Sequence, residues 1–213
     1  MSARIAVVDY DAGNLHSVAK ACAAVGMDAR LTARPGDLEA ADAVILPGVG
    51  AFPDCMRRLR DRGLVDPLRR YLSDDRPFLG ICLGLQLLFT HGEEGEGAEG
   101  LGCFPGRVRR IAAPGRKVPH MGWNALRLHR ADPLFEGIAA GAYAYFVHSF
   151  HAVPEDPALL TATVEYGETV TAAVGRGGVR AVQFHPEKSS GVGLRLLANF
   201  ARLAGGGRGG DRP

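Results

Sequence analysis

Short apolar runs alternate with longer stretches of helical periodicity through the first half of the chain. A short apolar run between polar or glycine residues is typical of a buried strand, and apolar residues every three to four positions are typical of an amphipathic helix. Strands that alternate with helices predict βαβ units and a parallel sheet covered on both faces. The predicted strands are 4–9, 29–32, 42–46 and 77–81, and the predicted helices are 15–25, 52–71 with a break near Gly63, and 83–89.

The second half of the chain is predicted to be mostly β-structure. Its apolar runs follow one another with no long helix between them, so they predict an antiparallel extension of the sheet. These runs are 108–111, 125–128, 143–150, 160–164, 170–174 and 179–184. The glycine- and glutamate-rich stretch 91–102 predicts a surface loop, and 191–204 predicts a closing helix. The expected fold class is α/β: an open, mostly parallel, twisted sheet flanked by helices, with an antiparallel extension.

Length and composition fit one globular domain, predicted over 1–204, with a disordered glycine-rich tail over 205–213. Hydrophobic residues make up 46% of the chain and charged residues 23%, as in ordinary globular proteins. The formal net charge of +2 is too small to predict nucleic acid or a membrane surface as a partner. No apolar run approaches the roughly 20 residues of a membrane helix, and the first residues lack the pattern of a secretion signal.

The four cysteines are widely scattered and form neither a C-x-x-C pair nor a metal-binding spacing. This usage predicts a reducing, cytoplasmic location and no metal site. The glycine-rich stretches match neither of the common nucleotide-binding patterns, so no cofactor is expected.

One cysteine occupies a position typical of a nucleophile. Gly80-Ile-Cys82-Leu-Gly84 joins a predicted strand to a predicted helix, which is the arrangement of the G-x-nucleophile-x-G elbow. A turn this sharp leaves no room for side chains at the two glycines. It also places the sulfur at a helix N-terminus, where a thiolate is favoured. On its own, the five-residue pattern also fits a small buried cysteine without a catalytic role.

A base and an orienting group for that nucleophile are found near the end of the chain. His185 follows an apolar strand, and Glu187, two residues later, leaves extended backbone on the same side. Pro186 favours extended backbone at His185. Beside an elbow cysteine, this pair predicts a Cys82–His185–Glu187 triad.

Acyl transfer also requires donors for the developing oxyanion. The N–H of Leu83, directly after the nucleophile, is one candidate. The glycine-rich loop after the third strand supplies the others, at Val49 and Gly50, because strand-end loops are where open α/β sheets bind ligands. The same loop is also compatible with a plain turn.

Three stretches together resemble the class I glutamine amidotransferases: 80–86, 47–50 and 183–187. The stretches 9–15, 47–54, 119–124, 145–150 and 185–189 resemble one branch of that family, and the resemblance runs from the first strand to the last helix. It implies that Cys82 attacks the side-chain amide of glutamine, that His185 protonates the departing ammonia and then activates water, and that Glu187 holds His185.

The resemblance also implies a substrate site and a partner. The implied substrate contacts are Gly48, Gln86, His148, Ser149 and Phe150. Members of this branch dock on a (β/α)8-barrel cyclase of histidine biosynthesis, which receives the ammonia. The stretches near that interface contain Asn14, Met121, Trp123, Tyr145 and Lys188. Phe150 and Cys55 depart from the residues that the family leads one to expect.

Two alternatives remain open at this point. The first is the related glutaminase branch that serves vitamin B6 synthesis, against which the Pro-His-Met-Gly-Trp-Asn stretch at 119–124 argues. The second is a non-catalytic interaction module of the same fold, against which the intact Cys82, His185 and Glu187 argue.

Overall fold

The structure, a computed structural model, describes residues 3–206. Within them lie fourteen strands, six helices and three short 3-10 turns. The strands are β1 (Ile5–Val8), β2 (Ala29–Thr32), β3 (Ala43–Gly48), β4 (Phe78–Cys82), β5 (Phe89–Gly92), β6 (Ala98–Glu99), β7 (Phe104–Arg110), β8 (His120–Ala125), β9 (Arg127–Leu128), β10 (Tyr143–His148), β11 (Phe150–Pro154), β12 (Leu160–Glu165), β13 (Thr169–Arg176) and β14 (Val179–Val182). The helices are α1 (Leu15–Ala24), α2 (Pro35–Ala40), α3 (Phe52–Asp61), α4 (Val65–Ser73), α5 (Leu83–Gln86) and α6 (Ser190–Gly206).

The main sheet has eight strands in the order β2-β1-β3-β4-β14-β13-β12-β9. The first five are parallel, and β13, β12 and β9 extend the sheet with antiparallel pairing. The predicted fold class is therefore confirmed. The carboxyl ends of β3, β4 and β14 meet at one edge of the sheet, where Gly48 pairs with Cys82.

Both faces of this sheet are buried, which explains why its central strands are apolar at every position. Alternate residues enter different cores: Ala6 and Val8 face the helices α2, α3 and α4, whereas Ile5 and Val7 face α1 and α6. Each fully buried large apolar side chain contributes about 1.5–3 kcal/mol to folding. The two cores together hold the strand ends of the site in place.

Several predicted elements differ from the observed ones. The helix predicted over 83–89 is a single turn, α5, and the chain then enters β5. An apolar run this short fits a helix or a strand, and tertiary pairing of β5 with β7 decides for the strand. Strands β5 and β6 also occupy parts of the predicted loop 91–102, and α2 and β8 were not predicted.

The run predicted as one strand over 143–150 is interrupted at Ser149. Strand β10 pairs with β8 in a two-stranded ribbon, whereas β11 joins the smaller sheet β11-β7-β5-β6. The extension of the main sheet is thus accompanied by two further sheets that the alternation pattern did not predict. The break brings the backbone around Ser149 to the edge where β4 ends.

The closing helix α6 continues through Gly206, two residues past the predicted end at Ala204. The rest of the predicted tail, 207–213, lies outside the described residues. Over residues 3–206, no helix is long and apolar enough to cross a membrane.

Candidate active site

The turn from β4 into α5 holds Cys82 in a strained backbone conformation, with φ +55° and ψ −109°. A side chain at Gly84 would collide with the carbonyl oxygen of Leu46, and one at Gly80 would lie 2.7 Å from the carbonyl oxygen of Gly84. Both glycines are therefore required by close backbone packing, as the elbow pattern predicts. Cys82 is 6% exposed and lies at the first turn of α5.

A cavity of about 420 Å³ opens at this turn. Most of the sequence-predicted site residues line it, together with three residues that sequence reasoning did not assign to the site: Glu94, Pro119 and Val147. The predicted residues in the lining are Val49, Gly50, Cys82, Leu83, Gln86, His148, Ser149, Phe150, His185 and Lys188.

His185 and Glu187 form the pair that the sequence predicts. Nδ1 of His185 donates to Oε1 of Glu187 over 2.8 Å, and both side chains are almost fully buried. The backbone of His185 is extended, and Ser189 fixes it by donating its hydroxyl to the His185 carbonyl over 2.7 Å. Nε2 of His185 is buried without a hydrogen-bond partner among the described residues. His185 and Cys82 line the same cavity, and Nε2 is the ring nitrogen of His185 that does not bind Glu187.

The electrostatics of this pair favour a protonated imidazole. Burial acts to lower the pKa of His185, but attraction to a Cys82 thiolate and to the Glu187 carboxylate outweighs it and raises that pKa to about 10. Of the two ring nitrogens, only Nδ1 makes a hydrogen bond among the described residues, and Nε2 makes none. An imidazolium beside Cys82 is the charge arrangement that a thiolate nucleophile requires.

The other three thiols are in environments that keep them protonated. Burial raises the pKa of Cys22 to about 12 and the pKa values of Cys55 and Cys103 to about 11. No disulfide links any of the four cysteines. Among the cysteines, the elbow position distinguishes Cys82.

The loop after β3 lies directly beside the nucleophile. A Cβ at Gly48 would lie 2.6 Å from the Tyr10 hydroxyl, so the loop packs too tightly there for a side chain. Gly50 has φ +107°, a conformation that glycine adopts without strain. The Val49 carbonyl accepts a hydrogen bond from the Cys55 thiol at 3.5 Å. The sequence analysis did not predict this last contact. Cys55 lies six residues after Val49 and is buried in α3.

Gln86 and Gln183 connect the cavity to the nucleophile. Nε2 of Gln86 donates to the Phe150 carbonyl at 2.9 Å and to Oε1 of Gln183 at 3.0 Å. Nε2 of Gln183 donates to the sulfur of Cys82 at 3.6 Å. The sequence analysis did not assign Gln183 to the site. A polar amide within the apolar run before His185 could have indicated it as a site residue.

The residues predicted near a partner fall into two groups. Met121 and Trp123 are 61% and 50% exposed on the β8–β10 ribbon, and Trp123 meets Tyr145 edge-on at 6.0 Å between ring centroids. The Lys188 ammonium lies 5.9 Å from the centre of the Tyr145 ring. Asn14 is exposed and lies just before α1, a helix that packs against the turn carrying Lys188. Within residues 3–206, no group of three His, Cys, Asp or Glu side chains is placed to hold a metal ion.

Comparison with known proteins gives a consistent picture. The family model for glutamine amidotransferase class-I matches residues 6–203. A relative from Synechococcus elongatus, named imidazole glycerol phosphate synthase subunit HisH, is 54% identical over 200 residues, covering 92% of each chain. The protein of the same name from Syntrophotalea carbinolica is 51% identical over 205 residues, covering 93% of this chain and all of that one.

Solved glutamine amidotransferase structures have the same fold. A crystal structure of glutamine amidotransferase superposes with a TM-score of 0.73 at 24% identity, covering 94% of this chain and 98% of the other. The chain therefore belongs to the class I glutamine amidotransferases and, within them, to the family of HisH subunits of imidazole glycerol phosphate synthase.

Proposed function

We propose that this protein is the glutaminase subunit of imidazole glycerol phosphate synthase and that Cys82, His185 and Glu187 are its catalytic triad. The observation that carries the proposal is a strained elbow cysteine that shares one cavity with a buried, carboxylate-paired histidine. The family membership supplies glutamine as the substrate and histidine biosynthesis as the pathway.

The reaction proceeds in two acyl-transfer steps. The Cys82 thiolate attacks the carbonyl carbon of the glutamine side chain, and the tetrahedral intermediate collapses as His185 protonates the departing ammonia. His185, now neutral, takes a proton from water, and the resulting hydroxide opens the thioester to release glutamate and restore the thiolate. Glu187 holds the imidazole through its 2.8 Å bond to Nδ1, which leaves Nε2 to transfer the proton.

The oxyanion of each intermediate is held by backbone donors. The N–H of Leu83 follows the nucleophile, and the loop of Val49 and Gly50 lines the same cavity. Preorganised donors of this kind typically contribute about 10²–10³ in rate each.

Glu94 gives the cavity a means of recognising the amino-acid end of glutamine. Glu94 lines the cavity, and one of its carboxylate oxygens accepts a hydrogen bond from the backbone N–H of Phe52 at 2.7 Å, which fixes the side chain at the start of α3. A fixed carboxylate is complementary to the α-ammonium group of the substrate. We assign Glu94 this role in addition to the contacts from Gly48, Gln86 and 148–150.

The ribbon provides a surface for a partner. Its outward face carries the exposed Met121, Trp123 and Tyr143 beside the half-buried Tyr145. Exposed apolar side chains grouped in this way mark protein interfaces. Pro119, Val147 and Lys188 line the cavity beside this face. We propose that the cyclase subunit docks here to form a heterodimer and takes up the ammonia as it leaves the cavity. All four cysteines are free thiols, which fits a reducing compartment, so we assign the protein to the cytoplasm.

The central test is Cys82→Ala. Ammonia release from glutamine should be lost, while binding to the cyclase and the melting temperature should stay close to wild type, because the substitution removes a single buried atom, the sulfur. The matched controls Cys22→Ala and Cys103→Ala should keep nearly full activity. Retention of activity within tenfold in Cys82→Ala would contradict the triad.

Two further measurements separate the alternatives. A glutamine-analogue electrophile should label Cys82 in wild-type protein, and an unlabelled Cys82 would instead favour a non-catalytic interaction module. Co-purification with a (β/α)8-barrel cyclase is expected, whereas co-purification with a vitamin B6 synthase would favour the related branch.

A further inference from the structure

Three buried polar side chains form a group near the cavity, and only His148 among them has a role in the proposed function, as a substrate contact. His120 and His148 are 2% and 6% exposed, and Gln183 is fully buried. The two histidines face each other in paired positions of β8 and β10, on the inward face of the ribbon. Polar groups of this kind are costly to bury unless each finds a partner. All three are linked by hydrogen bonds that lead to the sulfur of Cys82.

The orientation of the amide at the outer end of this network is fixed by backbone groups. Oδ1 of Asn124 accepts the N–H of Ala125 at 2.8 Å, and Nδ2 of Asn124 donates to the Glu165 carbonyl at 3.1 Å. Nδ2 must therefore also donate to Nε2 of His120, which lies 3.2 Å away. Because that ring nitrogen accepts, the proton of a neutral His120 resides on Nδ1.

The contacts of His148 independently show that His120 donates and His148 accepts the hydrogen bond between the two rings. Nδ1 of His148 lies 2.8 Å from the Phe150 carbonyl, which can only accept, so Nδ1 carries the proton. Nε2 of a neutral His148 then accepts, and it lies 3.1 Å from Nδ1 of His120. The two ends independently require the same tautomers. Burial lowers the pKa of His120 to about 4 and that of His148 to about 3, in keeping with two neutral rings.

The network continues from the Phe150 carbonyl to the nucleophile. This oxygen accepts two hydrogen bonds, from His148 and from Nε2 of Gln86. The second hydrogen on Nε2 of Gln86 is donated to Oε1 of Gln183. Gln183 therefore cannot turn its amide around without losing that bond, and its NH₂ group faces the Cys82 sulfur at 3.6 Å.

From these contacts we infer that Gln183 is a further catalytic residue, whose amide donates to the Cys82 thiolate, and that Asn124, His120, His148 and Gln86 are positioning residues that fix its orientation. The inference rests on the proposed role of Cys82 as nucleophile. A donor aimed at sulfur favours the thiolate over the thiol. The substrate-facing backbone at Phe150 is held by the same bonds, so the rim of the cavity and the nucleophile are positioned together.

The test is the rate at which iodoacetamide alkylates Cys82 in the full chain, followed by mass spectrometry from pH 5 to pH 9. Gln183→Met keeps the side-chain length and removes the donor, and Gln183→Glu keeps the shape and replaces the donor with an acceptor. Both should move the midpoint of the alkylation–pH curve upward and slow alkylation below that midpoint at least tenfold, since a bond to a charged group is worth about 1.5–3 kcal/mol. With the cyclase present, kcat for glutamine should fall and KM should change little.

Two controls separate positioning from general damage. Asn199→Leu removes another buried amide, which donates to the Leu134 and Glu136 carbonyls far from the cavity, and it should lower the melting temperature without moving the curve. His148→Leu should slow alkylation, and His148→Asn, which retains a donor near the position of Nδ1, should restore most of the rate. The titratable groups around Cys82, namely His185, Glu187, Glu94, Lys188 and Tyr10, are unchanged in every variant. Gln183→Glu alone adds a charge beside the sulfur, so the neutral Gln183→Met is the decisive variant.

The outcomes distinguish this inference from the proposed function. If wild-type Cys82 reacts no faster than the half-buried Cys103, the nucleophile assignment itself is wrong. If Cys82 reacts rapidly and folded Gln183→Met or Gln183→Glu gives the wild-type curve, the role of Gln183 is overturned. If His148→Leu leaves the curve unchanged while the Gln183 variants shift it, the positioning role of the histidines is overturned.

Discussion

At the scale of single residues, the two members of the buried ion pair have different tasks. In the mechanism that we propose, His185 transfers the proton, whereas Glu187 only orients the ring and supports its charge through one 2.8 Å bond. In comparable triads, removing the orienting carboxylate costs roughly a hundredfold less than removing the base. We therefore expect Glu187→Gln to retain about 10 to 100 times more glutaminase turnover than His185→Ala at saturating glutamine. An equal or larger loss in Glu187→Gln would contradict these roles.

The site residues that could be predicted from the sequence are those whose positions are determined by their immediate neighbours in the chain. Cys82 sits between two glycines that the turn requires, and His185 and Glu187 are two residues apart in extended chain. Gln183 and Glu94 could not be assigned in this way. Their roles depend on neighbours distant in the chain, such as Gln86, 97 residues from Gln183. Only the folded sheet brings these groups to one cavity.

At the scale of elements, the ribbon and the sheet behind it carry three buried histidines, one of which, His151, also lies beside Arg109 and Glu168. Burial lowers the pKa of His148 to about 3 and the pKa values of His120 and His151 to about 4. In the unfolded chain these rings titrate near 6.5. Between pH 6.5 and 4 the unfolded state therefore binds more protons, so the stability they contribute is complete above pH 6.5 and is lost as the pH falls.

This linkage predicts a steep acid dependence of unfolding. Each histidine should contribute a slope of about 1.4 kcal/mol per pH unit within that window. The check is the free energy of unfolding, measured with denaturant at pH 7, 6 and 5 for wild type and His151→Gln. Between pH 7 and 5 the free energy of the variant should fall less steeply, because its unfolding takes up about one proton fewer. Parallel curves for the two proteins would show that His151 is already charged in the folded state.

The errors in the predicted elements also have a physical cause. The run from Leu83 to Phe89 is apolar except at Gln86, and a short apolar run does not distinguish a helix from a strand. Phe89 packs against Phe104, and Thr90 exchanges two hydrogen bonds with the backbone of Gly106. These tertiary contacts end the helix after one turn. The long strands and helices around it, with strong periodicity and clear boundaries, were predicted closely.

At the scale of the whole molecule, the loop beside the nucleophile is placed to respond to a partner. The Val49 carbonyl and the Gly50 N–H belong to one peptide plane, and the Cys55 thiol holds the carbonyl end. Rotation of this plane, which the backbone of Gly50 permits, would redirect the N–H relative to the oxyanion. A free glutaminase would waste glutamine, so we expect the subunit alone to be nearly inactive and to be switched on by the cyclase with its ligand bound.

Turnover of the subunit alone, with cyclase, and with cyclase plus ligand tests this gating. Stimulation of about 10²–10³ would match the gain of one oxyanion donor. Cys55→Ala should raise the turnover of the isolated subunit a few-fold, because the plane loses one weak bond, and Cys22→Ala is the matched control. If the isolated wild-type subunit is as fast as the ligand-bound complex, the gating hypothesis is wrong and the triad assignment is unaffected.

The backbone of Cys82 implies a trade-off between activity and stability at the centre of the molecule. Its φ of +55° and ψ of −109° resemble the first central position of a type II′ turn, which glycine occupies most readily. Strain of this kind costs about 1–3 kcal/mol. In Cys82→Gly, the free energy gained by relieving this strain should exceed the roughly 0.5–1 kcal/mol that glycine costs through the greater conformational entropy of the unfolded chain. Calorimetry should then show the inactive glycine variant melting a few degrees above both wild type and Cys82→Ala. A melting point for Cys82→Gly below that of Cys82→Ala would mean that the elbow is unstrained, whereas one above wild type would mean that selection has kept a less stable fold to retain its nucleophile.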